Sequence, residues 1–235
     1  MPRVVVLGCG TGVGKTRVSV ALLNELKRRG ERCFGLKPIE SGIRRDPAAP
    51  FAPPKDSDAA ALASAGSLHP ILEHPLYALP QPISPHLAAR AAGESIDVKR
   101  VSSWIAHAEI ELTPLVVSDR ATWTIIESAG GVFSPLTTAT SNLDLALVVE
   151  PAIWILVATD ALGVLHDVSA TLQAMAARGR RPDHLVLSGA REPDASTGTN
   201  ARELEALGIV KPSAVLARND DSGIRALGDR LLGTR

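Results

Sequence analysis

Residues 8–16 read GCGTGVGKT and directly follow the apolar run VVVL at positions 4–7. A run of β-branched residues that is apolar on both faces is typical of a buried parallel strand. Beyond the glycines, apolar residues recur at helical spacing, at Val18, Ala21, Leu22 and Leu26. A strand, a glycine-rich loop and a helix in this order predict a phosphate-binding loop in an α/β protein.

The composition of the loop explains how it would bind a nucleotide. Glycines accept positive φ and carry no Cβ, so successive N–H groups turn inward around a phosphate, and the helix N-terminus adds further donors. Lys15 would reach the β- and γ-phosphates, and the Thr16 hydroxyl would bind magnesium. The loop is one residue longer than the common pattern, because Cys9 stands where its first glycine falls. The predicted nucleotide-binding residues are Gly8, Gly10, Gly12, Val13, Gly14, Lys15 and Thr16.

Composition limits the class of protein. With 45% hydrophobic but only 3% aromatic residues, the core must consist of Ala, Val, Leu and Ile. The 25 basic and 25 acidic residues cancel, which argues against binding to nucleic acid or to an anionic membrane. Cys9 and Cys33 follow no metal-binding spacing and suggest a reducing compartment. Without a signal peptide or an apolar run long enough to span a bilayer, we expect a soluble, cytoplasmic protein.

Strand-like and helical patterns alternate along the chain. The strand-like runs are Val4–Leu7, Cys33–Leu36, Leu115–Ser118, Trp123–Ile126, Ala152–Ala158 and His184–Ser188. The helical patterns are Thr16–Arg29, Ser57–Ala65, Pro85–Ala92, Val98–Ile110, Val164–Arg178 and Ala201–Leu207. Such alternation indicates βαβ units. We therefore predict a three-layer αβα fold with a mostly parallel central sheet, of the P-loop NTPase type, in one domain over residues 1–235.

Polar residues follow the predicted strands where open α/β sheets place their ligands. Lys37 and Ser41 follow the second strand, and we expect Lys37 and Lys15 to come from neighbouring strand tips. Asp58, in the first turn of a helix, either complements the helix dipole or binds magnesium. Glu127 ends the strand WTIIE, and two glycines follow shortly after it. A carboxylate at a strand end is typical of a metal ligand, and glycines beside it would let a substrate approach closely.

A second junction of strand, glycine and helix follows residue 152. The strand ends at Asp160, and Gly163 precedes the next helix. The N–H groups of that helix could receive a carboxylate, although Asp160 and Gly163 also suit simple helix capping. None of the six histidines pairs with a cysteine or another histidine at metal-binding spacing.

Several of these stretches, taken in order, resemble the dethiobiotin synthetase family. They are the loop at 8–16, KPIESG at 37–42, Ser57-Asp58, PISPHLAA at 82–89, the stretch ESAGG at 127–131, and ATDALGVLHD at 158–167. The likeness covers most of the chain and thins after about residue 190. Ordered motifs at matching separations are far more specific than one glycine loop.

The resemblance implies an ATP-dependent cyclo-ligase of biotin biosynthesis. Members add CO2 to an amine of 7,8-diaminononanoate and close a ureido ring, through a carbamate and a carbamic-phosphoric anhydride, with release of ADP and phosphate. ATP would be the co-substrate and Mg2+ the cofactor. The family also implies a homodimer with shared active sites.

The resemblance assigns roles residue by residue. Lys15, Lys37 and Thr11 would be catalytic, with Thr11 contacting phosphate or carbamate. Magnesium would be held by Thr16, Asp58 and Glu127. Ser41 and Gly130 would contact the substrate. The backbone N–H groups of a partner subunit would bind the distal carboxylate, at Gly163, Val164 and Leu165.

Some positions depart from the family pattern. Gly12 stands where many members carry glutamate, and Ser128 replaces the glycine usual after the glutamate. Ser188 and Gly189, which we assign to the ATP site, stand where an asparagine often reads adenine, so base selection should be loose. His166-Asp167 replaces a frequent Asn-His pair and changes the expected carboxylate pocket.

Two alternatives remain at the level of sequence. An amide-forming ligase acting on a cofactor precursor such as cobyrinic acid normally carries a glutaminase domain with a catalytic cysteine, which this chain does not provide. A partitioning-type regulatory ATPase usually has a second lysine early in the loop and a basic surface for DNA. Here residues 8–14 contain no lysine and the net charge is zero.

Overall fold

A computed structural model describes residues 1–49, 52–72, 74–113 and 121–233. Its strands are β1 (Arg3–Gly8), β2 (Arg32–Leu36), β3 (Ile39–Ser41), β4 (Tyr77–Leu79), β5 (Thr122–Glu127), β6 (Ile153–Asp160), β7 (His184–Gly189) and β8 (Ala214–Leu216). Its helices are α1 (Lys15–Arg28), α2 (Asp58–Ala65), α3 (Pro85–Ala91), α4 (Val98–Leu112), α5 (Asn142–Val148), α6 (Val164–Ala177), α7 (Asn200–Ala206) and α8 (Ile224–Gly233). No helix among these residues is long and apolar enough to cross a bilayer.

Six strands form one parallel sheet in the order β2-β5-β1-β6-β7-β8. Alternate residues of β1 enter different hydrophobic clusters: Val4 and Val6 contribute to one, Val5 and Leu7 to the other. Helices α1, α2 and α8 contribute to the first cluster, and α3 to α7 to the second. Since successive side chains of a strand point to opposite faces, the two clusters are the two layers between sheet and helices. The predicted three-layer α/β architecture is confirmed.

Five elements are absent from the sequence prediction: β3, β4, α5, β8 and α8. Strands β3 and β4 pair in parallel as a separate two-stranded sheet, and β3 begins two residues after Lys37. The predicted strand Leu115–Ser118 lies outside the described residues.

Strand order corrects one expectation about the site. Lys37 follows β2 and Lys15 follows β1, but β5 lies between these two strands. The two lysines therefore do not come from neighbouring strand tips. Glu127, the last residue of β5, lies between them at the same edge of the sheet, because the carboxyl ends of parallel strands are at one edge.

A buried carboxylate on α1 stabilises the helix layer. Glu25 accepts hydrogen bonds from Arg28 Nε and Nη2, both at 2.7 Å, and from Arg29 Nε at 2.6 Å. Arg29 also pairs with Asp229 on α8. The hydrogen bonds from Arg28, together with the one from Arg29, outweigh burial, which raises the pKa of Glu25, and lower this pKa to about 2.

Replacing Glu25 with glutamine should lower the free energy of unfolding by about 1–3 kcal/mol at neutral pH, since charged hydrogen-bond partners are lost. The folded-state pKa lies below the ordinary value of 4.5. The stabilisation is therefore present above that value and disappears as the pH falls towards 2. Urea titrations of both proteins at several pH values measure this difference. A stability gap that stayed constant from pH 7 to pH 3 would contradict it.

Candidate active site

The glycine loop joins β1 to α1 with two residues in the left-handed region. Gly12 has φ 73° and Gly14, which precedes α1, has φ 92°. A Cβ on Gly8 would lie 2.8 Å from the Gly10 carbonyl oxygen. The loop conformation therefore requires glycine at these positions. Lys15 opens α1, is 7% exposed, and its Nζ lies 3.3 Å from the Gly10 carbonyl oxygen.

Substitutions at Gly12 and Gly14 should separate backbone strain from steric overlap. A Cβ on Gly12 meets nothing within 4 Å, whereas one on Gly14 overlaps Ser188 Oγ and lies 2.8 Å from Ser188 Cβ. Gly12→Ala should cost about 1 kcal/mol of stability, from positive φ alone. Gly14→Ala should cost more, because Ser188 or the loop must also move. Urea unfolding measures both losses, and equal losses would contradict the predicted contact.

Glu127 is the centre of the polar cluster beside the loop. It is fully buried at the end of β5. Its Oε1 accepts hydrogen bonds from Thr16 Oγ1 at 2.9 Å and from Lys37 Nζ at 2.6 Å. Its Oε2 accepts one from Ser19 Oγ at 2.8 Å. The Glu127 carboxylate thus connects helix α1 to Lys37, the residue that follows β2.

The Lys37 ammonium group lies between two carboxylates. Besides Glu127, its Nζ is 3.1 Å from Asp58 Oδ2 and donates to the Ser128 carbonyl oxygen at 3.1 Å. Burial lowers the pKa of Lys37, but the charges of Glu127 and Asp58 outweigh it and raise the pKa overall. Burial, with a further contribution from the Lys37 charge, lowers the pKa of Lys15 to about 8.

Two supporting residues were not found by sequence reasoning. His74 Nε2 accepts the backbone N–H of Lys37 at 2.7 Å, and burial, helped by the Lys37 charge, lowers the pKa of His74 to about 4. The imidazole is therefore neutral and able to accept. Asn142 Nδ2 donates to the carbonyl oxygens of Ala129 and Gly131, at 2.6 and 2.9 Å. Both contacts join distant segments, so no local spacing marks them.

A cleft of about 760 Å³ brings most of the predicted site residues together. The predicted residues that line it are Thr11, Gly12, Val13, Gly14, Lys15, Thr16, Lys37, Ser41, Asp58, Glu127, Gly130, Ser188 and Gly189. Gly8 and Gly10 belong to the same loop but are not part of the lining. Gly163, Val164 and Leu165 lie outside the cleft, after the end of β6, where Gly163 has φ 95°.

The donor set around Lys37 fits magnesium. Thr16, Asp58 and Glu127 offer one hydroxyl and two carboxylates, and both carboxylates already contact the same ammonium group. Mg2+ is commonly held by one or two carboxylates together with substrate phosphates and water. Across the described ranges, no group of three or more His, Cys, Asp or Glu side chains is arranged to hold a metal. Phosphate and water oxygens would have to complete the shell.

The residues predicted to lie near the base also line this cleft. Ser188 and Gly189 line it, together with Arg191. A Cβ on Gly189 would lie 2.6 Å from the backbone nitrogen of Arg218, so the turn after β8 lies directly behind it. Arg17 ties this turn to α1 by contacts with the Ala217 carbonyl oxygen and Asp221.

A parallel sheet, a glycine loop at a helix N-terminus and a lysine–carboxylate cluster beside it define a P-loop ATPase-type nucleotide-binding protein. A family model described as an AAA domain matches residues 2–223. The ATP-dependent dethiobiotin synthetase BioD of Anaeromyxobacter dehalogenans (strain 2CP-C) is 32% identical over 232 residues, 97% of this chain and 94% of that protein. The chain belongs to the dethiobiotin synthetase family, ATP-dependent cyclo-ligases of biotin biosynthesis.

A second relative agrees with this assignment, and a solved structure agrees with the fold. BioD of Xanthomonas euvesicatoria pv. vesicatoria (strain 85-10) is 34% identical over 180 residues, 76% of this chain and 74% of that protein. The crystal structure of the cell division ATPase MinD from Pyrococcus furiosus superimposes with a TM-score of 0.52 at 16% identity, covering 96% of this chain and 89% of that one. The second likeness concerns the fold alone.

Proposed function

We propose that this protein adds CO2 to one amino group of 7,8-diaminononanoate and closes the ureido ring of dethiobiotin, with conversion of ATP to ADP and phosphate. The observation that carries the proposal is the cluster of buried Lys37 and Glu127 with half-buried Thr16. The Lys37 ammonium group and the Thr16 hydroxyl at the end of the phosphate loop both donate to Glu127 Oε1, so a second ammonium group is close to this loop. Such a group suits a reaction in which a phosphoryl group passes from ATP to a second anion.

The chemistry explains why ATP is needed. One amine attacks CO2 and loses a proton, which gives a carbamate. A carbamate is a poor electrophile, because its oxygen leaves badly. Transfer of the γ-phosphoryl group to that oxygen releases ADP and gives a carbamic-phosphoric anhydride. The second amine then attacks the carbonyl carbon and loses a proton, and phosphate leaves as the ring closes.

The protein would contribute position and charge. Lys15 would hold the γ-phosphate, and Lys37 would face the carbamate and the phosphoryl group in transfer. Thr11, Ser41 and Gly130, which line the same cleft, would contact phosphate or the carbamate end of the substrate.

Magnesium would be held by Thr16, Asp58 and Glu127, and when bound it would neutralise phosphate charge. The nucleotide would lie along Gly8–Thr16 with its base near Ser188 and Gly189. No asparagine occupies positions 188–190 to read adenine, so we propose that other nucleoside triphosphates also serve.

The remaining proposals concern assembly and location. Gly163, Val164 and Leu165 lie outside this chain's cleft, as expected if they bind the distal carboxylate of the substrate in a partner's site. We therefore propose a homodimer with shared sites, in which residues 1–235 act as one domain, in the cytoplasm. Sedimentation or light scattering measures the oligomeric state.

The direct test is product formation. Purified protein with 7,8-diaminononanoate, bicarbonate, ATP and Mg2+ should give dethiobiotin, detected by mass spectrometry, and 13C-bicarbonate should label the ureido carbon. Omission of the diamine should lower ATP hydrolysis. Absence of both product and diamine-stimulated hydrolysis would reject the proposal. A nucleotide-dependent change of oligomeric state without amine turnover would favour a regulatory ATPase instead.

A further inference from the structure

We propose that Glu40 is a positioning residue that fixes Asp58 for its contact with Lys37 and magnesium. Glu40 is the middle residue of β3 and is 7% exposed. Its Oε1 accepts the backbone N–H of Asp58 at 2.7 Å, and its Oε2 accepts that of Ala59 at 3.0 Å. Both carboxylate oxygens therefore hold the first two residues of α2.

Helix α2 already has an ordinary N-cap. Ser57 Oγ accepts the N–H of Ala60 at 3.0 Å. Glu40 takes the two donors that this cap leaves open, and so it fixes the backbone of Asp58 itself. The Oδ2 atom of Asp58 lies 3.1 Å from Lys37 Nζ. Glu40 thus anchors the backbone of Asp58, the residue whose side chain contacts Lys37.

The chain path makes this anchor rigid. Glu40 lies only three residues after Lys37, and β3 is held in place by pairing with β4. Strand β3 therefore positions both Lys37 and Asp58, although 21 positions separate these two residues in sequence. Glu40 also lines the cleft, close to the groups that it orders.

The cost of placing the Glu40 carboxylate beside Asp58 indicates that Glu40 positions Asp58 and does not merely stabilise helix α2. Two acidic side chains close together repel each other, and burial of Glu40 adds a desolvation cost. If α2 needed only a helix cap, Ser57 would supply it without this cost. Partners that orient metal-binding side chains typically change metal affinity 10- to 100-fold when removed. We expect an effect of that kind here.

The inference rests on the proposed magnesium site, and it is tested by the Mg2+ requirement. In Glu40→Ala, the Mg2+ concentration for half-maximal turnover should rise about tenfold. The value of kcat should largely recover at saturating Mg2+. Mg2+-dependent ADP binding, measured by calorimetry, should weaken in parallel, and ADP binding without metal should not change. Glu40→Gln, which keeps one acceptor oxygen, should lie between Glu40→Ala and the unmodified protein.

Ser57→Ala is the matched control, because it removes the other cap of the same helix but leaves the Asp58 N–H bonded. It should lower the thermal midpoint and leave the Mg2+ requirement within about twofold. An equal rise in the Mg2+ requirement in Ser57→Ala, or no rise in either Glu40 variant, would overturn the inference. If Glu40→Ala does not fold, Glu40→Gln decides alone. Failure of the unmodified protein to make dethiobiotin would reject the proposed function, while calorimetry with ADP would still test Glu40.

Discussion

Lys37→Gln should lower kcat about 10²–10³-fold and leave Mg·ADP binding within a few-fold of its original strength. The ammonium group is buried and lies 2.6 Å from Glu127, so its charge is held in place before the substrate arrives. A fixed donor of this kind acts chiefly on charge that develops in the transition state, and losing one costs a rate factor of this order. Glutamine keeps a hydrogen-bond donor for Glu127 but removes the charge.

Steady-state dethiobiotin formation and calorimetry with ADP measure the two quantities. Lys99→Gln is the control, because Lys99 is an exposed lysine on α4 that does not line the cleft. Thermal unfolding of both variants checks that the fold is intact. Turnover within tenfold of the original in a folded Lys37→Gln protein would show that Lys37 has no catalytic role.

Lys15→Gln should also remove most of kcat, about 10²–10³-fold, for a partly different reason. Lys15 opens α1 beside the glycine loop, where the β- and γ-phosphates would bind. Its charge would neutralise the phosphoryl group through transfer, so the loss falls mainly on the transition state. Unlike Lys37→Gln, this variant should also bind ATP more weakly.

Comparison of the two lysine variants separates their roles. Equilibrium binding of a non-hydrolysable ATP analogue should weaken in Lys15→Gln and stay nearly constant in Lys37→Gln, whereas turnover collapses in both. The double variant should be little slower than either single variant if the two lysines act on one transition state, because effects of groups that act together are not additive. An unchanged kcat in Lys15→Gln, or losses in the double variant that multiply fully, would contradict the shared role.

The sequence predicted the central strands well for a physical reason. Strands β1 and β6 are buried on both faces, so their residues are mostly apolar and stand out between helices with a clear periodicity. The three-residue strands β3, β4 and β8 are too short to show a period. The capping box of α5 at Ser141 and Asp144, and the apolar spacing of Ile224, Leu227 and Leu231 in α8, were signals that the prediction left unused.

The site was predictable where local pattern determines position. The glycine loop, Lys37 and Glu127 follow from strands that end at one edge of the sheet. Strand order does not follow from local pattern, which is why Lys37 and Lys15 were wrongly expected to come from neighbouring strand tips. His74 and Glu40 act through contacts with backbone N–H groups 37 and 18 positions away. Such contacts leave no trace in residue spacing.

The scarcity of aromatic residues gives this protein a simple set of optical reporters. Trp123 lies in the helix layer of α1, α2 and α8, Trp154 lies in the opposite layer, and Trp104 contacts the ring of His74. Indole emission shifts with the polarity of its surroundings. Single-tryptophan variants, with phenylalanine at the other two positions, would therefore report separately on the unfolding of each face of the sheet and on the surroundings of His74, which bonds the backbone of Lys37.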